Sequence, residues 1–387
     1  MVIRFNKQDN ASKFDNRLIG FICSIYICLA LNALFRGIGT GIGNTMNLIT
    51  SAALVIMLAL TLWAMIKAKR YSILVITEIF GILAFVFSYL FGLSRSGDLE
   101  YYVFWTLGIC IPAGVSAFLI QDKIRFLDIL YKVSWVLLII TVPMAFINQT
   151  SSSYSMSFGY FLLLPAVVLL DRFADKLRPL DLMVSLLCAS LILFYGSRGS
   201  ALFYAIFGVV LIIFHSQKKW VKILSVFLLV VVFVNFNSVI YLLNNISDSL
   251  GFSSRSIMLL QEGRATYQSG RQVLWNHYIE CIKERPLIGW GIAGGWMDNK
   301  NYPHNIFIEL IMSFGIPIGI LLIAILAYLY LRTLVMKQTI YKSLAMIFMV
   351  HSFSVILSGT FLNTPSLYVF IGLSVYAIRQ IKYRRIP

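Results

Sequence analysis

One polar stretch of this chain contains an arginine and a histidine whose chemistry suits phosphate binding and proton removal. It reads SGRQVLWNHYIECIKERPLIGWGIAGGWMDNKNYPHN, with Arg271 near its start and His304 near its end. A guanidinium forms charge-assisted hydrogen bonds with phosphate oxygens. A neutral imidazole acts as a general base near neutral pH. Because the flanking sequence is apolar, we interpret the stretch as a site for a lipid-linked phosphate and for a hydroxyl that loses a proton.

Local sequence signals predict that both residues lie at the beginnings of helices. Ser269-Gly270 precedes a helical run, which places Arg271 in a first turn whose free N–H groups also suit a phosphate. Pro303 is predicted to open the next helix, with His304 in its first turn, where the helix dipole disfavours the imidazolium. The alternatives are an arginine that anchors to headgroups or pairs with a loop carboxylate, and a structural, hydrogen-bonded histidine.

The segment between these two residues is rich in glycine. Gly289, Gly291, Gly294 and Gly295 are expected to allow tight turns and close approach of the backbone to a ligand. The segment does not match a nucleotide-binding loop, because no GKS or GKT follows it and no strand precedes it.

Other polar residues nearby are candidates for contact with a substrate. Arg198, in GSRG between two apolar runs, is expected to face protein or a water-filled cavity, with a headgroup anchor as the alternative. Glu309 follows Asn305 by one helical turn, so the two side chains can touch. Glu309 either orders the site or is satisfied locally. The substrate-binding candidates are Arg255, Arg264, Tyr302, Asn305 and Glu309. For Arg255 and Arg264, solvated loop cations are the commoner case.

Composition indicates that lipid surrounds most of the chain. The 387 residues are 59% hydrophobic and 12% charged, more apolar surface than a soluble core can bury. No HExxH, paired CxxC or carboxylate cluster is present, so neither a metal site nor a cofactor is expected. The absence of GxSxG argues against the usual serine hydrolases.

Apolar runs predict an all-α polytopic membrane protein with about twelve transmembrane helices. The spans are placed near 18–36, 47–66, 72–93, 101–120, 127–147, 154–170, 180–195, 199–214, 220–236, 306–331, 342–358 and 364–381. Residues 1–387 are taken as one membrane domain, in which 237–303 form a large outer loop containing short helices.

The charge distribution predicts the orientation. Most of the 32 lysines and arginines fall in the segments on the side of the termini, which places both termini in the cytoplasm by the positive-inside rule. The outer loop then lies on the periplasmic or extracellular face. The formal net charge of +16 is explained by this orientation, and nucleic acid is not an expected partner.

Several of these motifs together resemble the O-antigen ligase and O-antigen polymerase superfamily. SGR at 269–271, LW at 274–275, ERPLIGWG at 284–291, PHN at 303–305 and FGIPIG at 314–319 occur in the family's order. GSRG at 196–199 matches a second family element. The rest of the chain matches only in its topology of spans and outer loop.

The resemblance implies a GT-C-like fold and a membrane glycosyltransferase of the bacterial cytoplasmic membrane, active on its outer face. The donor would be an undecaprenyl-diphosphate-linked glycan, and transfer would be inverting and metal-independent. In this scheme Arg271 and Arg198 bind the diphosphate, and His304 takes the proton of the attacking hydroxyl. A chain-length regulator and a flippase of the same pathway are the expected protein partners, besides membrane lipids.

Three functions remain open at this point. FGYFLLLP at 158–165 and SSRSIMLL at 253–260 look more like polymerases of O-antigen, capsule or exopolysaccharide repeat units. The alternative is a ligase that moves the glycan to lipid A-core or another acceptor. A flippase or transporter is the third, although transporters carry their polar groups near the midplane and these lie at the outer surface.

Overall fold

The architecture is helical throughout the part of the chain that the computed structural model describes. That part comprises residues 2–90, 99–147, 156–195, 198–214, 223, 227, 234–249, 255–262, 271–294, 296, 302–336 and 339–383. No strand occurs among these residues. The expected all-α class is therefore confirmed.

The helices are numbered here in chain order. They are α1 (Val2–Ile38), α2 (Thr40–Lys67), α3 (Ser72–Leu90), α4 (Leu99–Val103), a π-helical stretch (Phe104–Cys110), α5 (Ile111–Leu119), α6 (Lys123–Thr141), α7 (Met144–Ile147), α8 (Met156–Lys176), α9 (Pro179–Tyr195), α10 (Arg198–Phe214), α11 (Phe236–Ser249), α12 (Arg255–Gln261), α13 (Arg271–Glu284), α14 (Ile306–Leu334), α15 (Thr339–Ser352), α16 (Ser354–Leu357), a 3-10 turn (Phe361–Asn363) and α17 (Pro365–Tyr383).

Membrane-spanning character is confirmed by helix length and composition. Within the described residues, seven helical stretches are long and apolar enough to cross a membrane, and Pro179–Tyr195 and Arg198–Leu211 are shorter apolar helices. Each predicted span coincides with a helix or a run of adjacent helices, except 220–236, most of which lies outside the described residues. The count of about twelve, the GT-C-like fold and the loop boundaries at 237–303 remain predictions.

The bundle core is built from apolar side chains on α1, α6, α15 and α17. Phe21, Phe126, Phe348 and Phe370 are fully buried, and α1 packs on α2 and α6 while α17 packs on α5 and α15. These packed pairs fix where the ends of the helices lie relative to one another.

The two ends of the bundle are distinct. At one end, the turn at 358–364 contacts the starts of α8 and the π-helical stretch: the Tyr160 and Ser358 hydroxyls are 2.9 Å apart, and Thr106 donates to the Leu362 carbonyl at 2.7 Å. At the opposite end, the Asp15 carboxylate accepts from the backbone at 121 and 122. Residues 302–304 join the first end, the one expected to face outward.

Helix α14 is broken near its start, and the loop after α13 packs into the break. Gly315 has φ 76° and ψ 168°, outside helical values. Three backbone hydrogen bonds link the two segments: Trp290 N to Met312 O at 2.7 Å, Gly291 N to Ser313 O at 3.0 Å, and Ile316 N to Pro286 O at 2.7 Å. The ERPLIGWG and FGIPIG motifs therefore contact each other.

Two glycines make this junction possible. A Cβ on Gly289 would lie 2.5 Å from the backbone nitrogen of Gly315, and a Cβ on Gly315 would overlap the carbonyl of Leu287. Both residues also have positive φ, 75° and 76°. The close backbone approach that Gly289 permits is to the broken helix, and its approach to a ligand stays a prediction.

Gly315→Ala is expected to destabilise the protein strongly. Its backbone region is accessible to glycine almost alone, which costs about 1–3 kcal/mol for another residue, and the required backbone shift adds roughly 1–3 kcal/mol. Thermal unfolding of the purified protein in detergent measures the loss. Gly208→Ala is the matched control, since its Cβ would meet Leu170 at an ordinary 3.9 Å. Equal unfolding temperatures for the two variants would contradict the proposed packing.

Candidate active site

His304 lies just before α14, in a left-handed backbone conformation. Its φ is 54°, which a residue other than glycine adopts at a cost of about 1–2 kcal/mol. Asn305 is the N-cap residue: its Oδ1 accepts from the backbone nitrogens of Phe307 at 2.9 Å and Ile308 at 3.3 Å. The prediction that Pro303 opens the helix with His304 in its first turn is therefore wrong, because the asparagine cap starts the helix at Ile306.

The carbonyl oxygen of Ser358 orients the imidazole. His304 Nδ1 lies 3.0 Å from this oxygen, and the Tyr302 hydroxyl donates to the same oxygen at 3.0 Å. Since a carbonyl oxygen only accepts hydrogen bonds, the neutral imidazole carries its proton on Nδ1. Nε2 then holds the lone pair, which is the tautomer that a general base needs.

The surroundings keep His304 neutral. Burial lowers the pKa of His304 below its ordinary value of 6.5, and the Arg271 charge lowers it further, while the hydrogen bond to Ser358 opposes both. The helix dipole invoked from the sequence is not the main cause. Burial also raises the pKa of Tyr302 to about 12, so its phenol remains a donor. The rings of Tyr302 and His304 are 4.2 Å apart between centroids.

Helix α13 positions Arg271 beside this histidine. The helix begins at Arg271, as the sequence predicted, and packs on α14 through the fully buried Tyr278 and Met312. Trp275, one turn after Arg271, donates its indole N–H to the Pro303 carbonyl at 2.9 Å. The Arg271 charge acts on both Tyr302 and His304. Two residues 33 positions apart in sequence are thus brought together as expected.

Glu309 supports the turn that carries the Ser358 carbonyl. It is fully buried, and its Oε1 accepts from the Thr360 hydroxyl, while Oε2 has no hydrogen-bond partner among the described residues. Thr360 Oγ1 in turn accepts from the backbone nitrogen of Leu362 at 3.2 Å. Glu309 thus links α14 to residues 358–362. The side-chain oxygen of Asn305 caps the helix, and Glu309 contacts Asn305 through the backbone, its N–H donating to the Asn305 carbonyl at 2.9 Å.

Of the other arginines predicted for the site, Arg198 is less closely associated with His304 than Arg271 is. Arg198 begins α10, five residues before Phe203, whose ring packs 5.5 Å from Phe353 next to the Ser358 turn. It therefore lies at the same end of the bundle as His304, but its charge is not among those that shift the pKa of His304. Arg255 begins α12, and its side chain lies outside the described part. Arg264 lies outside the described residues altogether.

Aromatic residues around Tyr302 were not foreseen from the sequence. Trp296 lies 5.7 Å from Tyr302 and 5.1 Å from Tyr102, between ring centroids. The hydroxyls of Tyr101 and Tyr160 lie close enough to act on Tyr302 electrostatically. These rings come from α4, α8 and the loop before α14, which are distant in sequence. The available signal was the polar interruption SGTFLNTPS at 358–366 in an apolar region.

A comparison with protein families finds a match over part of the chain. Residues 183–323 match the family model described as O-antigen ligase. The superfamily resemblance is confirmed. The matched region contains every proposed site residue, from Arg198 to Glu309. No match was found among curated proteins.

Polar groups that could do chemistry are concentrated at one end of the bundle. A neutral imidazole with a fixed tautomer lies within electrostatic reach of a guanidinium, and phenol and indole groups surround them. Such a group of residues can accept a proton from a hydroxyl and stabilise an anion. Among the described residues, no group of three or more His, Cys, Asp or Glu could hold a metal ion; metal-independent transfer stays a prediction.

Proposed function

We propose that this protein is a membrane glycosyltransferase that uses a polyprenyl-diphosphate-linked glycan as donor. The observation that carries the proposal is His304: Nδ1 is fixed on the Ser358 carbonyl and Arg271 lies within electrostatic reach. The family match supports the same chemistry, because O-antigen ligases transfer glycans. Undecaprenyl diphosphate is the proposed carrier, and the bacterial cytoplasmic membrane is the proposed location, with both termini inside and the site outside.

The proposed reaction is a single inverting displacement. His304 Nε2 takes the proton from an acceptor hydroxyl, and that oxygen forms a bond to the anomeric carbon of the donor. The bond from this carbon to the diphosphate oxygen breaks at the same time, and its electron pair leaves with the undecaprenyl diphosphate. No other reactant is required, and the proton remains on His304 until solvent removes it.

In this proposal, arginines stabilise the negative charge of the diphosphate leaving group. The Arg271 guanidinium donates to diphosphate oxygens as negative charge develops on them, a role that divalent cations fill in other glycosyltransferases. Arg198, at the same end of the bundle, is the proposed second donor. Arg255 and Arg264 are proposed to bind glycan or phosphate. Tyr302 is proposed to line the substrate site, and Asn305 and Glu309 are proposed to hold the backbone of that site in place.

Polymerase is the first candidate and ligase the second. The polymerase assignment is supported by the resemblance of segments 158–165 and 253–260 to polymerases of O-antigen, capsule or exopolysaccharide. The ligase is supported by the description of the matching family. A chain-length regulator and a flippase are proposed partners in either case.

Reconstitution of the purified protein distinguishes polymerase, ligase and flippase activity. Purified protein is placed in vesicles with a lipid-linked repeat unit, and the products are sized on a gel. A polymerase gives a ladder of increasing length. A ligase gives product only after a separate acceptor is added, and a flippase moves the lipid-linked unit without forming a glycosidic bond. If no product that depends on His304 forms, either with the lipid-linked repeat unit alone or with the separate acceptor added, the proposed transferase activity is wrong.

The pH profile is expected to report the neutral base. Because the folded pKa of His304 lies below 6.5, the acid limb of kcat/KM is expected to have its midpoint below pH 6.5. As pH falls through this midpoint, protonation removes the base and kcat/KM falls. An acid limb centred clearly above pH 6.5 would contradict the assignment of His304 as base.

A further inference from the structure

Trp296 extends the group of aromatic side chains beside His304. Its ring centroid lies 5.7 Å from that of Tyr302, and the Tyr302 ring centroid lies 4.2 Å from that of the imidazole. A single ring therefore separates the indole from the proposed base. A ligand that binds at Trp296 lies next to the group that would accept its proton.

Packing holds the indole in this place. Trp296 packs against the buried cluster that contains Tyr102 and against the one that contains Met312. The loop before it is attached to α3, where the backbone nitrogen of Ile292 donates to the Ser88 hydroxyl at 3.0 Å. Helices α3, α4 and α14 therefore position this side chain together.

The indole N–H of Trp296 differs from those of two nearby tryptophans. Trp290 donates to the Cys281 carbonyl at 2.7 Å, and Trp275 donates to the Pro303 carbonyl at 2.9 Å. The Nε1 atom of Trp296 is buried and has no hydrogen-bond partner among the described residues. A buried donor without a partner is costly, and native structures keep few of them. An oxygen atom of a ligand would satisfy this donor.

The face of the Tyr102 ring is the alternative partner for this N–H. The rings of Trp296 and Tyr102 are 5.1 Å apart between centroids and meet at 88°. An N–H directed at an aromatic face gains a weak contact, which would make Trp296 a structural residue. The two alternatives differ in the effect that Trp296→Phe has on stability and on binding.

We propose that Trp296 binds the acceptor sugar. Its N–H donates to an oxygen of the sugar, and the rings of Trp296 and Tyr302 contact the C–H face of the same pyranose, an arrangement typical of sites with apolar walls and few polar groups. The acceptor is favoured over the diphosphate because its attacking hydroxyl has to reach His304, and because neither ring carries a charge that would bind phosphate. Since the N–H is covered by protein, the indole rotates as the sugar binds. This inference rests on the proposed function and adds a specificity-determining residue to it.

Binding of a free glycan tests the sugar site without turnover. The probe is the oligosaccharide repeat unit, released from its carrier and labelled with a fluorophore at its reducing end, so that it has no diphosphate and cannot act as donor. Fluorescence anisotropy with the full chain in detergent gives its dissociation constant. Trp296→Phe keeps an aromatic ring and removes the N–H. It should weaken binding about 2–10-fold, the contribution of one neutral hydrogen bond.

Trp290→Phe is the matched control. It removes an indole N–H that has a protein acceptor, so it should lower the thermal unfolding temperature and leave the dissociation constant near the wild-type value. Trp296→Phe should do the reverse. Absence of binding by the wild type, equal affinity of the wild type and Trp296→Phe, or a loss of stability in Trp296→Phe as large as that in Trp290→Phe would overturn the proposal. Failure of Trp296→Phe to fold would overturn it as well, because the N–H would then have a structural partner.

Kinetic measurements distinguish this inference from the proposed reaction. Trp296→Phe should raise KM for the acceptor with kcat nearly unchanged, whereas His304→Ala should lower kcat and keep the affinity for the labelled glycan. Binding that depends on Trp296 without formation of a glycosidic bond would refute the reaction alone. A product that depends on His304, with the same KM for the acceptor in Trp296→Phe as in the wild type, would refute the sugar site alone.

Discussion

Replacing His304 with alanine is expected to lower kcat by about 10²–10⁴-fold, the usual contribution of a general base. The KM for the lipid-linked donor should change little, because the proton transfer occurs only in the transition state. Single-turnover formation of the first glycosidic bond, with purified protein in vesicles, measures this effect.

His277→Ala is the matched control for this experiment. His277 lies in the same outer region, and its Nε2 contacts the Cys281 sulfur at 3.5 Å rather than the Ser358 turn. Its removal should leave turnover near the wild-type value. Near-normal turnover of His304→Ala would show that another group accepts the proton. Parallel losses in both variants would indicate a folding defect.

Replacing Arg271 with glutamine is expected to lower kcat by about 10²–10³-fold, as when one donor to a developing anion is lost. A second effect follows from its position. The Arg271 charge lowers the pKa of His304, so its removal should raise that pKa and move the acid limb of the pH profile to higher pH. The rate measured as a function of pH detects both effects in one series.

Two variants isolate the role of Arg271. Arg271→Lys keeps the charge but loses the planar pair of donors, so it should restore the acid limb while recovering only part of kcat. Arg285→Gln removes a cation beyond the end of the same helix, where the guanidinium stacks 4.3 Å from the Trp290 ring centroid, and should change neither quantity. If Arg271→Gln leaves the acid limb unmoved, the electrostatic link between Arg271 and His304 is wrong.

The helices and the residue types of the site could be predicted because both depend on local sequence. Apolar runs located α14 and α17 to within a few residues, since lipid requires helical backbone with internal hydrogen bonds. Arg271 and His304 could be singled out because they lie in the long polar stretch that interrupts the apolar runs. The start of helix α13 could be predicted because Ser269-Gly270 is a local signal for the beginning of a helix.

The geometry around His304 could not be predicted because its determinants are distant in sequence. The carbonyl that fixes its tautomer belongs to Ser358, 54 residues away. The left-handed backbone arises from competition between Pro303, which suits a first helical turn, and Asn305, whose side chain caps the helix instead. Likewise, the conformational freedom of Gly289 suggested contact with a ligand. Its packing against the backbone of Gly315 could be seen only in the structure, because the two residues belong to different segments.

The junction between residues 286–291 and the broken helix α14 constrains how a bulky substrate reaches the site. Its three hydrogen bonds join backbone atoms at 286–291 and 312–316, so no side-chain rotation can release them. Residues 286–291 are therefore expected to move together with the start of α14 when the proposed substrate enters. Substrate entry is then expected to involve α13 and α14 moving together rather than a lid that swings separately at this position.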